Sequence, residues 1–146
     1  MTVKVQPDDF DASQELRLFG RGAGAIVTFT GLVRDTDAGT LRHMEIEHYP
    51  SMTEKALTDI SDQAINRWSL SDCLILHRYG TLRPGDRIMM VATAAAHRAE
   101  AFAAADFLMD YLKSRAPFWK KEVTTTGETW VAAKDSDEAA LTRWTS

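Results

Sequence analysis

The sequence predicts an α+β fold, a largely antiparallel sheet with helices packed on it. Three observations carry this. Segments 51–68 and 97–115 repeat apolar residues at helical spacing. Runs rich in β-branched and aromatic residues, each of strand length, lie before, between and after them. Most of these runs come in consecutive pairs, so the order reads β-α-β-β-α-β-β-α-β-β-α. Hairpins alternating with helices build antiparallel sheet. A doubly wound parallel fold would need regular single-strand crossovers, and the pattern has none.

The elements follow in order. "VKVQ" reads as a short strand. "DASQELRLFGR" reads as a short helix capped by Asp11 or Ser13, with Gly20 near its end. "GAIVTFTGLV" is a strand, "RDTDAGT" its turn and "LRHMEIEHY" the strand paired with it. In "SMTEKALTDISDQAINRW", Ser51 and Glu54 form a capping-box pattern. Met52, Ala56, Ile60 and Ala64 share a face there, with Leu57 and Trp68 beside it. "CLILHRYG" and "DRIMMVATA" are strands whose loop holds the hairpin signal Pro84-Gly85-Asp86. The second long helix, "HRAEAFAAADFLMDYLKSR", has Phe102, Ala105, Met109 and Leu112 as its core stripe. Asp110 can pair with Lys113 on its surface. Pro117 ends it. "FWKKEVTTTGETWVAA" is a hairpin turning at Gly127, and "SDEAALTRW" a closing helix capped by Ser136.

The totals exclude whole classes of function. A chain of 146 residues reads as one domain, 1–146. Its net charge of −4 speaks against non-specific nucleic-acid binding, which needs a broad basic field. The single Cys73 allows no internal disulfide or multi-cysteine metal site, and in "DCLILH" it reads as a buried, inert thiol. His43, His48, His77 and His97 complete no ligand set, so no metal is expected. The first three read as strand residues in ordinary hydrogen bonds. No signal peptide or membrane span is evident, which points to the cytoplasm.

"GRGAGA" resembles a dinucleotide loop but follows a helix and opens a strand, the reverse of what such a loop requires. It reads as a connector. His97 and Arg98 stand where a helix begins, although unpaired N–H groups already make that end positive. An anion there would relieve the conflict; alternatively both side chains point into solvent. Lys113 and Arg115 lie in the last helical turn, where cations complement the dipole. Lys120 and Lys121 follow just past the proline. Phe118 and Trp119 would bury and fix that backbone. Neighbouring strand residues face opposite ways, so one of the two lysines should share a pocket with Lys113. Arg34, at a strand end, suits bidentate recognition of phosphate or carboxylate, or is simply solvated.

These segments add up to a resemblance. "VTFTGLVRD", "EHYPSMTEKAL", "HRYGTLRPGD", "AHRAEAF" and "MDYLKSRAPFWKKE" occur in order, over about residues 24 to 130, and are similar to the catalytic (large) subunits of molybdopterin synthase. One mild departure is Ile46-Glu47-His48-Tyr49, where many members read Tyr-Glu-x-Tyr. The resemblance implies an α+β fold of the hammerhead type and a homodimer, within a heterotetramer. It implies a small ubiquitin-like sulfur carrier as partner, whose C-terminal glycine thiocarboxylate enters a pocket. Sulfur then passes, in two rounds, to cyclic pyranopterin monophosphate to form the molybdopterin dithiolene, with no cofactor. Carried over residue by residue, Lys113 and Lys120 would be catalytic. Leu32, Val33, Arg34, His97 and Arg98 would hold the phosphate and pterin. Lys121 and Glu122 would line the pocket rim, or orient Lys120 through the backbone. Arg34 or His97-Arg98 could come from the other copy. Composition and periodicity alone leave two alternatives open: a non-catalytic module that binds a partner's acidic tail, and a carrier-independent enzyme acting on a phosphorylated metabolite.

Overall fold

In the computed structural model, residues 1–132 and 134–145 are described. The chain runs β1 Thr2–Gln6, α1 Ala12–Glu15, β2 Ala25–Leu32, β3 Leu41–His48, α2 Met52–Trp68, β4 Asp72–Arg78, β5 Gly80–Leu82, β6 Arg87–Ala95, α3 Arg98–Ser114, β7 Phe118–Thr124, β8 Gly127–Trp130 and α4 Asp135–Leu141, then a 3-10 turn Thr142–Trp144. The class is the α+β expected. The strands form two four-stranded sheets, ordered β1-β4-β6-β2 and β5-β3-β7-β8. Only the β1–β4 pair is parallel among the described strands.

The expected β2–β3 hairpin does not form. β2 pairs with β6, Ala25 opposite Ala95, and β3 pairs with β5 and β7. The connecting segment explains why. Asp35 Oδ1 accepts from Leu41 N at 3.0 Å, and Thr36 Oγ1 from Thr40 N at 2.9 Å. These side chains close a wide corner instead of a tight turn. Val33 N meanwhile donates to Asp86 O at 2.8 Å, so the end of β2 follows β6. The corner thus carries the chain from one sheet to the other. β4 and β6 are antiparallel neighbours, as expected, but β5 leaves between them for the second sheet.

β4 and β6 are buried almost throughout because both faces of the first sheet are covered. On one side α2 and α3 bring Leu57, Ile60, Ala64, Ala104 and Leu108 against Ile75 and Val91. On the other, Phe10 and the α1 segment cover Leu74, Leu76 and Met90. Val33, Leu41, Met44, Ile46 and Leu82 form a further core at the second sheet.

Each helical stripe is partly where periodicity puts it: Leu57, Ile60, Ala64 and Ala105 are buried as expected, but Met52 and Phe102 are not. Phe102 is 62% exposed; the buried line of α3 is Ala101, Ala104, Ala105, Phe107 and Leu108, with Met109 and Leu112 packed at its margin. The first half of α3 is apolar on nearly every side, so periodicity cannot choose a face. Packing chooses the small one: Thr93 Oγ1 donates to Ala101 O at 2.7 Å, an approach larger side chains would obstruct. In α2 Met52 is exposed, and the stripe is Thr53, Leu57, Ile60, Ser61 and Ala64. Its two hydroxyls are satisfied inside, by Pro117 O at 3.1 Å and Leu57 O at 2.8 Å, and so hid a core face. The Ser51–Glu54 pairing is present, Ser51 N donating to Glu54 Oε2 at 2.6 Å.

Two smaller helices also differ. α1 is a single turn capped by Asp11, which accepts from Ser13 N at 2.9 Å, and the chain then loosens toward Gly20. α4 begins at Asp135, one residue ahead of Ser136, and Lys134 at its cap makes no side-chain bond. The glycine run is a connector: a Cβ on Gly24 would lie 2.0 Å from Ala96 O. The hairpin β7–β8 turns at Gly127 as expected, and its last expected residue, Ala133, lies outside the described residues.

Candidate functional site

α3 and β7 converge where Pro117 breaks the chain between them. Lys113 stands in the last turn of α3, and Lys120 is the third residue of β7. Both line two adjoining cavities. One, of about 190 Å³, is of mixed character, with Ser114, Lys134 and Asp137 on its wall beside Leu112, Phe118 and Val131. The other, of about 200 Å³, is walled by Phe29, Leu32, Met89, Met109 and Leu112, and His77 lines it too. The lysines therefore stand between a chamber of mixed character and a largely apolar one.

The expected Asp110–Lys113 pair is absent. Asp110 Oδ2 instead accepts from Arg143 Nη2 at 2.6 Å and from Trp144 Nε1 at 2.6 Å. Three-centre capture by the C-terminal turn outcompetes a single flexible lysine. Neither Lys113 nor Lys120 makes an ion pair among the described residues. Burial, then the charge of Lys113, pushes the Lys120 ammonium down to about 8; Asp137 opposes the shift. Two cations held close without a paired carboxylate suit an anionic ligand.

Phe118 fixes this backbone as expected, but Trp119 does not. Phe118 stacks on His77, whereas Trp119 is 44% exposed on the other face, beside Tyr49 at 5.7 Å. The alternation of β7 decides this. It also sends Lys121 away from Lys120, onto Glu45 at 3.1 Å and Glu128 at 3.4 Å. Glu122 is half-buried opposite Met44 and lines neither cavity.

Of the remaining candidates, Leu32 borders the apolar chamber. Val33 is 3% exposed and packs in the second-sheet core. Arg34 lies open on the corner loop, its Nη2 2.8 Å from Asp37. His97 and Arg98 stand at the start of α3, with His97 beside Arg67 and Glu100. Fifteen helical steps of about 1.5 Å put Arg98 ~22 Å from Lys113 along the axis. One chain thus joins Lys113, Lys120 and Leu32, and leaves Arg34, His97 and Arg98 elsewhere.

His77 is the strand residue in an ordinary hydrogen bond that the sequence predicts, but the sequence does not predict its place beside the two lysines. It is 2% exposed, and burial, then the nearby Lys120, pushes its pKa down to about 3. The signal was present: in "CLILHRYG" an imidazole follows four residues that are all buried. A polar ring at such a position needs a partner or a purpose.

Known proteins resemble this chain in sequence and in fold. The family model described as MoaE protein matches residues 5–115. The molybdopterin synthase catalytic subunit of Cereibacter sphaeroides is 65% identical over 147 residues, covering 99% of this chain and all of that one. A solved molybdopterin biosynthesis MoaE protein from Burkholderia ambifaria superposes with a TM-score of 0.82 at 51% identity, covering 99% of each chain. A Helicobacter pylori chain, solved as a complex of subunits 1 and 2 of molybdopterin-converting factor, shares the fold at a TM-score of 0.74. It is 17% identical and covers 91% of this chain and 90% of that one. Matched over most of its length by the family and nearly end to end by its relatives, the chain belongs to the MoaE family of molybdopterin synthase catalytic subunits.

Proposed function

We propose that this chain is a sulfurtransferase, the catalytic subunit of a molybdopterin synthase. It moves sulfur from the C-terminal thiocarboxylate of a small carrier protein to cyclic pyranopterin monophosphate. The observation that carries the reading is the pair of unpaired lysines, from α3 and β7, shared by two adjoining chambers. Each reactant is an anion, and each chamber offers the same two cations.

Lys113 assists transfer by donating a proton or stabilising charge at the reacting centre. Lys120 stabilises the acyl or phosphate oxygens beside it. An ammonium lowered to about 8 is still mostly charged at neutral pH, yet gives up its proton more readily than an ordinary lysine. The thiocarboxylate sulfur bonds to a pterin side-chain carbon and displaces an oxygen there, which leaves as water. A water molecule then cleaves the carrier's C–S bond, so the carrier leaves as a carboxylate and the sulfur stays on the pterin. Arg34, His97 and Arg98 hold the phosphate and pterin. Lys121 and Glu122, which line neither chamber, orient Lys120 through the backbone of β7.

A homodimer accounts for residues that one chain leaves distant. The edge strand β2 exposes Ile26, Phe29 and Leu32, and Phe102 of α3 is likewise uncovered. A second copy along this edge brings its own His97 and Arg98 toward Lys113. The carrier then adds to each copy, giving a heterotetramer of single-domain large subunits, 1–146, working in the cytoplasm. No helix among the described residues is long and apolar enough to cross a membrane. The deciding experiment mixes the purified protein with thiocarboxylated carrier and the pyranopterin. Mass spectrometry should find the dithiolene product; a turnover that needs no carrier would defeat the reading.

A further inference from the structure

His77 holds one ring nitrogen in reserve. Its Nδ1 lies 2.7 Å from the carbonyl oxygen of Arg78. A carbonyl can only accept, so Nδ1 carries the hydrogen and, in the neutral ring, Nε2 carries the lone pair. Nε2 has no protein partner among the described residues, and it is not one of the polar atoms sealed from solvent without a bond. The ring is held in place by its stack on Phe118, at 3.8 Å and 18°.

Phe118 and Lys120 are two residues apart on β7, so their side chains share a face. His77 and Lys120 line the same chamber. The groups that act on the imidazole are Lys120 of β7, His48 of β3 and Lys113 of α3; Asp137 of α4 acts on Lys120.

We propose that His77 is a positioning residue for sulfur transfer: its fixed Nε2 lone pair, unpartnered among the described residues, is the acceptor toward which the Lys120 ammonium turns across the chamber they share, aiming that charge at the reacting centre. The word transfer rests on the function proposed above; the contact itself does not. The imidazole is not the proton carrier, because burial beside two ammonium groups keeps it neutral down to about pH 3. An acceptor on Lys120 favours the charged amine and so opposes burial. Without it, Lys120 loses its proton at lower pH.

Two measurements on the full chain test this. The first is imidazole ¹⁵N NMR of the parent and of Lys120→Met, from pH 5 to 8. His77 should stay in the neutral Nδ1–H form, and Nε2 should move downfield in the variant, as an acceptor does when its donor is removed. An unmoved Nε2 resonance overturns the proposal, whatever reaction the protein catalyses. The second is the pH dependence of kcat with carrier and pyranopterin present. His77→Phe keeps the stack and loses the acceptor. It should lower kcat about tenfold, leave KM for the pterin unchanged and shift the alkaline limb to lower pH. His77→Gln, whose amide oxygen can reach the Nε2 position, should restore the limb. A fall in kcat with an unshifted limb, or equal behaviour of Phe and Gln, makes the residue merely structural. If His77→Phe does not fold, the NMR comparison decides. An Nε2 shift in a protein that transfers no sulfur would sink the function and leave the contact standing.

Discussion

His77 and Phe118 stack with their ring centroids 3.8 Å apart. One ring belongs to β4 of the first sheet, the other to β7 of the second. The stack is a joint between the sheets, and Phe118 packs against the cores of both. Two residues beyond it stands Lys120, so the joint sets where a candidate catalytic cation is held.

Burial of His77 makes the protein acid-sensitive. The unfolded ring takes a proton near its ordinary 6.5, the folded one only near 3. Between those values the unfolded state binds more protons, so stability falls as pH drops through that window. His77→Phe should remove one proton from the slope of stability against pH there. Urea melts of parent and variant at pH 4 to 7 measure it; parallel curves would contradict the burial argument.

Lys120 behaves in the opposite pH range. Its folded value of about 8 lies below the ordinary 10.5, so charge on it costs stability at neutral pH. That cost is relieved as pH rises from about 8 to 10.5, where the folded amine is neutral and the unfolded one is not. Lys120→Met should therefore melt above the parent at pH 7 while losing transfer activity. The difference in Tm should shrink by pH 10.

Lys113→Ala should cut transfer by about 10²–10⁴-fold, the range for loss of a group that moves a proton or meets charge in the transition state. The side chain is exposed at a helix end, so melting temperature and carrier binding should hold. Single-turnover assays beside calorimetry separate the two. Unchanged turnover would remove Lys113 from the mechanism.

A shared site predicts complementation. Arg98→Ala alone should raise the apparent KM for the pterin. Mixed with Lys113→Ala under conditions that exchange subunits, it should recover about a quarter of parental activity. Half of randomly paired dimers are mixed, and one of their two sites is intact. No recovery on mixing would place Arg98 outside the neighbour's pocket.

Gly24→Ala tests the packing of the glycine run. A methyl group there would sit 2.0 Å from Ala96 O, so the backbone must move. The expected loss is about 1–3 kcal/mol, read from urea melts. A neutral result would mean that the connector is slack.

The local rules of the chain reached far. Capping at Ser51, the proline stop at Pro117, the turn at Gly127 and the alternation separating Lys120 from Lys121 all follow from nearest neighbours and hold in the fold. So does the meeting of Lys113 with Lys120, because one proline-broken segment carries both. Whatever depended on partners distant in sequence was decided by tertiary structure. Which strand β2 joins, which face of α3 is buried, which side chain takes Asp110 and why His77 is sealed against Phe118 are questions of competition for the same surface or hydrogen bond. Periodicity states that a side chain will be buried; only packing in three dimensions decides against what.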